Sequence, residues 1–141
     1  MQISTGYFAK CRAYADAGYI LVSIAKVEPW FIPKDIKLFS LPELAPSKEI
    51  LALKDKPEEY ENRYRAEILS CLQPKTIYQR LWNICADEES DNVVLLCYEA
   101  PDKFCHRHIV AEWLNHHLGC NVQEVELAPL EESSIFGDSD V

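Results

Sequence analysis

Two uninterrupted apolar segments constrain the fold more than any other feature of the sequence. They are Tyr19–Ala25 and Val93–Tyr98, and both are rich in valine, isoleucine or leucine. A strand buried on both faces has this pattern, whereas a strand exposed on one face alternates apolar and polar residues. Such strands occur in parallel sheets that have helices on their faces. The sequence therefore predicts an α/β fold in which the two segments are interior, parallel neighbours.

Helices and two further strands are predicted around this pair. Apolar periodicity indicates four helical segments: 7–16, 58 onward, 76–86 and 105–118. Residues 1–6 are β-prone, and the alternating segment 121–127 is typical of an edge strand. The predicted architecture is a three-layer α/β sandwich around a small, mostly parallel sheet of about four strands.

The length and the prolines suggest how the chain is divided. A chain of 141 residues with 48% hydrophobic residues matches one ordinary domain with a real core. Five prolines between residues 28 and 57 exclude a long helix or a central strand there, so we expect a Pro-rich loop. We predict a single α/β domain over 1–128 and an acidic, disordered tail over 129–141.

The net charge and the absence of targeting patterns indicate which partners and which cellular compartment to expect. The formal net charge of -9 opposes nonspecific binding to nucleic acids, whose phosphates it would repel. The sequence has neither a signal peptide pattern nor a stretch of about 20 apolar residues, so we expect a cytoplasmic protein without membrane association.

Six cysteines occur, but no two of them form a Cys-x-x-Cys pair. In a cytoplasmic protein this pattern favours reduced thiols that act as small buried side chains. We therefore expect no disulfides, no bound metal and no other cofactor.

Residues that can take part in acid–base, nucleophilic or anion-binding chemistry cluster where the second apolar strand ends and the next helix begins. Ligands of open α/β sheets bind at this edge, and helix N-termini there favour anions. Cys97 and Glu99 share one strand face, while Arg107 offers a fork for an anion. We predict catalytic roles for Glu99, Cys105 and His106, and ligand-binding roles for Arg107, Cys97 and Lys26.

Each of these assignments has a structural alternative. Cys97 fits a core position, Cys105 fits a plain helix start, and His106 fits a hydrogen-bonded core histidine. A zinc site of Cys97, Glu99, Cys105 and His106 is compatible with the ligand types, but the strand-turn-helix spacing is not a known knuckle pattern. Glu99 is the hardest to assign to the core, because a carboxylate directly after a buried strand needs a partner or a role.

Two blocks of sequence resemble the signature of the family catalogued as domain of unknown function 488. They are Leu95–Glu99 and Phe104–Leu114, with Ser23–Lys26, Leu44–Ser47 and Tyr60–Tyr64 in support. The resemblance spans most of residues 20–127. It implies a compact bacterial or phage α/β domain without an established reaction. In many members the second strand ends in an acid and a base, whereas Ser23–Lys26 supplies only the lysine.

Two functions fit these observations. The first is an enzyme or ligand-binding domain that acts on an anionic, nucleotide-like small molecule at the strand-end site. The alternative is a non-catalytic interaction module, an adaptor or inhibitor that uses its acidic surface.

Overall fold

The computed structural model describes residues 1–99 and 104–126, and it shows an α/β fold with one parallel sheet. The described strands are β1 (Gln2–Tyr7), β2 (Ile20–Ser23), β3 (Leu38–Ser40), β4 (Asn92–Cys97) and β5 (Gln123–Glu124). Their order in the sheet is β3-β2-β4-β1-β5, and every pairing is parallel. The prediction of two interior, parallel strands is confirmed, because β4 lies directly between β1 and β2.

Alternation along β4 creates a core on each face of the sheet. Val93, Leu95 and Cys97 point into the larger core, whereas Val94 and Leu96 point into the smaller one. This follows from the period of two of a strand, which sends successive side chains to opposite faces. Since all five residues are buried, the segment needs apolar side chains throughout.

Helices cover both faces, as the sandwich prediction requires. They are α1 (Cys11–Asp16), α2 (Lys48–Leu51), α3 (Pro57–Glu67), α4 (Pro74–Glu88) and α5 (His106–Leu118). The small core contains Tyr14 of α1, and the large core contains side chains of α3, α4 and α5. Gly119 ends α5 with φ 68°, a left-handed conformation that glycine adopts without strain.

The Pro-rich segment differs most from the prediction. Residues 28–57 were expected to form a loop, yet they contain the edge strand β3 and the short helix α2. With β3 the described sheet has five strands rather than about four. The tail predicted at 129–141 lies outside the described residues. Among the described helices, none has the length and apolar character needed to cross a membrane.

Candidate functional site

A cavity of about 240 Å³ opens where β2 and β4 end and α5 begins. This is the carboxyl edge of the parallel sheet, where α/β proteins bind ligands. Helix α2 and the start of α3 close the other side with Leu51 and Tyr60. The cavity is therefore bounded by two strand ends and by three helices that different parts of the chain supply.

Five of the six residues singled out from the sequence line this one cavity. They are Lys26, Cys97, Glu99, Cys105 and His106. The sixth, Arg107, lies behind the wall, where its Nη1 donates to the Sγ of Cys97 at 3.0 Å and to the backbone oxygen of Glu99 at 2.7 Å. The structure thus brings together residues that are up to 81 positions apart, from Lys26 to Arg107.

Cys97 and Cys105 are joined by a disulfide at the floor of the cavity. The expectation of reduced cysteines throughout is wrong for this pair, while the other four cysteines are free. The sequence pattern concealed the pairing because it depends on how the end of β4 and the start of α5 meet in the fold. Both residues are buried, with 1% and 6% of their surface exposed.

His106 is buried beside this pair, and one carbonyl fixes its orientation. Its Nε2 lies 2.7 Å from the backbone oxygen of Ile24, and a carbonyl oxygen only accepts, so Nε2 carries the proton. Burial, with a smaller contribution from the nearby Arg107 charge, lowers the pKa of His106 to about 4. The neutral ring then leaves Nδ1 unprotonated, 3.7 Å from the Sγ of Cys105.

Arg107 forms a buried clamp to the edge strand. Its Nε and Nη2 each donate to a carboxylate oxygen of Glu124 at 3.0 Å, and Glu124 also accepts from the hydroxyl of Thr5 at 2.7 Å. Four of the five guanidinium N–H groups are therefore used within the protein. Sequence reasoning predicted that Arg107 binds a ligand, but its side chain is fully buried and makes contacts within the protein.

The rim of the cavity carries charged groups of both signs. Lys54 Nζ lies 2.6 Å from a carboxylate oxygen of Glu99, whose side chain is 29% exposed. Lys26 is exposed at the end of β2 and has no ion-pair partner among the described residues. The mouth thus combines an ion pair with a second lysine whose charge is available.

Sequence reasoning missed three residues of this region. Lys54 and Tyr60 come from the segment assigned to a loop and from the following helix, and nothing local marks them as facing the strand ends. Glu124 had a weak signal, because it lies in the predicted edge strand while Arg107 had no assigned counterion. Pairing the buried arginine with a carboxylate on a neighbouring strand would have identified it.

Comparison with known families gives one match. The family model described as DUF488-N3a, the active DUF488-N3 subclade, matches residues 11–118, which is more than half of the 141 residues. This range contains all six residues singled out from the sequence but not Glu124. No curated protein and no solved structure shows significant similarity to the chain.

Proposed function

The chain belongs to the DUF488 family, and on this premise we propose that it is an enzyme that binds an anionic small molecule in the cavity at the carboxyl edge of the sheet. The description of the matching subclade as active supports catalysis over a purely structural role. The description of the family names no reaction, so the proposal depends on the geometry of the site.

One observation carries the proposal: an apolar cavity contains a small set of convergent polar groups at the ligand-binding edge of an α/β sheet. Leu51, Phe104 and Tyr60 provide apolar walls, while the sulfur, imidazole and carboxylate groups meet at the floor and the rim. This combination is typical of small-molecule sites. In a chain with a net charge of -9, two lysines at the mouth supply a local attraction for an anion.

In this proposal Lys26 and Lys54 bind the negative group of the ligand. Lys54 is held by Glu99 at 2.6 Å, so a ligand that recruits Lys54 releases the Glu99 carboxylate to accept a proton. Nδ1 of His106 is a second proton acceptor, and Cys105 in its thiol form is the adjacent nucleophile. Arg107 positions Cys97 and the backbone of Glu99 rather than contacting the ligand.

A thermal-shift screen of phosphates, nucleotides and carboxylates tests the proposal. A ligand present at about 100 times its dissociation constant stabilises the fold by ~2.7 kcal/mol. We expect at least one anion to raise the melting temperature of the wild-type protein, and Lys26→Ala to reduce that shift. Lys26 is exposed, so its loss leaves the fold intact.

Lys34→Ala is the matched control, because Lys34 is an exposed lysine, eight positions after Lys26, that does not line the cavity. This variant should keep the full ligand-induced shift. The proposal fails if no anion stabilises the wild type, or if Lys26→Ala and Lys34→Ala respond equally.

The alternative function, a non-catalytic interaction module, is favoured by one specific feature. Trp30 is 94% exposed and packs edge-on against Phe31, which is 42% exposed, with ring centroids 6.0 Å apart. Exposed aromatic pairs are enriched where proteins bind partners. Under this alternative, Trp30→Ala abolishes partner binding while anion-induced stabilisation is absent in every variant.

A further inference from the structure

Three metal-ligating side chains converge at the floor of the cavity. The sulfurs of Cys97 and Cys105 and one imidazole nitrogen of His106 all lie within 4.8 Å of one another, and all three residues are buried. No other such group occurs in residues 1–99 and 104–126. Two thiolates and one imidazole form a ligand set that suits zinc and similar borderline ions.

The orientation of His106 also suits metal binding. Ligating histidines almost always donate their second ring N–H to a carbonyl or a carboxylate, which fixes the tautomer. Here Nε2 donates to the backbone oxygen of Ile24 at 2.7 Å, so Nδ1 presents its lone pair toward Cys105. The supporting hydrogen bond is therefore already in place.

Arg107 supports the sulfur side of the same cluster. Its Nη1 donates to the Sγ of Cys97 at 3.0 Å, and a guanidinium at that distance offsets the negative charge of a thiolate. Glu124 holds the guanidinium from the opposite side. Each end of the ligand set thus has an outer group that orients it.

The spacing of the two cysteines leaves room for an ion. Their Cα atoms are 7.3 Å apart, and two sulfurs bound to one tetrahedral zinc at about 2.3 Å each are separated by about 3.7 Å. Small side-chain rotations therefore convert the pair from a disulfide into two ligands. The cavity faces the cluster, so a fourth coordination position remains open, as in catalytic rather than structural zinc sites.

We propose that reduced Cys97 and Cys105, together with Nδ1 of His106, bind one divalent zinc-class ion, and that the disulfide is the metal-free, oxidised form of the same site. A dithiol reductant supplies two electrons and two protons to the disulfide, which yields two thiols while the reductant becomes a disulfide. Binding of the ion then releases both thiol protons to solvent. The inference replaces the sequence-based expectation of no metal, which followed from the missing Cys-x-x-Cys pair.

Cobalt titration tests the site directly. The full chain is reduced, freed of reductant without oxygen and titrated with Co²⁺ alone, and sulfur-to-cobalt absorption is recorded. We expect saturation at one ion per chain for the reduced wild type and no such absorption for the disulfide form. Zinc should displace the cobalt, and air oxidation of the metal-free protein should abolish binding.

Variants then assign the ligands. Cys105→Ser and His106→Gln should each weaken binding by at least about 100-fold, the upper end of what the loss of even a supporting outer group costs. Cys71→Ser is the control, because Cys71 is an exposed free cysteine outside the cluster. It should bind cobalt as the wild type does.

The proposal is overturned if the reduced wild type shows no sulfur-to-cobalt absorption, if the disulfide form binds equally, or if Cys105→Ser retains wild-type affinity. Comparing cobalt binding by the oxidised and the reduced wild type tests the proposal even where a variant does not fold. The titration uses the ion without any anionic ligand, so its failure is distinct from a failed anion screen. With the ion bound, Cys105 and His106 act as ligands, and Glu99 remains as the proton acceptor.

Discussion

Replacing Arg107 by methionine should destabilise the protein by about 3 kcal/mol. Methionine keeps much of the side-chain volume but removes the charge and four hydrogen bonds, to Glu124, Cys97 and the backbone of Glu99. Removing one partner of a buried ion pair costs about 3–5 kcal/mol because the other charge is left uncompensated. Since Glu124 is 21% exposed and regains some hydration, we expect the lower end of that range.

Urea denaturation measures the loss of stability as a shift of the unfolding midpoint, and we expect the slope of unfolding free energy against urea concentration to stay unchanged. A thermal scan should show that the melting temperature falls by on the order of 10 °C. Arg12→Met is the matched control. Arg12 makes the same two-pronged contact with Asp35, at 2.8 and 3.0 Å, but both side chains are more than half exposed. Exposed pairs contribute little, so its midpoint should not shift measurably.

The isosteric Glu124→Gln change tests the same Arg107–Glu124 ion pair from the other partner. Arg107 is fully buried and cannot regain water, so losing the carboxylate should cost at least as much as Arg107→Met. The double variant should be less destabilised than the sum of the two single changes, by at least about 1 kcal/mol. If Arg107→Met matched Arg12→Met, or if the two effects were additive, the clamp would not stabilise the fold as argued.

Two further changes test the packing around the site. Tyr64→Phe removes the hydroxyl that donates to the buried backbone oxygen of Leu44 at 2.6 Å. Because that acceptor is left unpaired, we expect the unfolding free energy measured in urea to fall by about 1–3 kcal/mol. An unchanged urea midpoint would contradict this. Gly6→Ala places a methyl group 2.6 Å from the hydroxyl of buried Tyr14. This overpacking should lower the unfolding free energy by about 1–3 kcal/mol in the same assay. A stability equal to that of the wild type would show that the Tyr14 ring moves aside without cost.

Much of the central fold was predictable because it depends on local pattern. The apolar run of β4 is buried on both faces, and its sequence admits no other strand environment. Strand β3 was not predictable, because Leu38–Ser40 is short, lies among prolines and pairs with β2 across an irregular segment. Its register depends on tertiary packing that no local window contains.

The candidate site was likewise predictable only in part. Residues at the end of β4 and the start of α5 could be selected because the edge of a parallel sheet is a known location for ligands. The direct bond between Cys97 and Cys105 and the partnership of Arg107 with Glu124 depend on side-chain directions across three elements. The sequence indicated a ligand-binding role for Arg107, whereas its guanidinium is buried against Glu124 of β5.

The strand order has a consequence for how the chain folds during synthesis. Strands β1 and β2 follow each other in sequence but never pair, because β4 occupies the place between them. A nascent chain that ends before Asn92 therefore holds β1 and β2 without their common neighbour, and such unpaired strand edges are prone to aggregate. Parallel pairing over this separation also carries a high loop-closure cost and is slow. The sheet cannot be completed until β4 has been synthesised, and α5 follows β4 closely in the sequence. The parts of the cavity that β4 and α5 supply therefore form last.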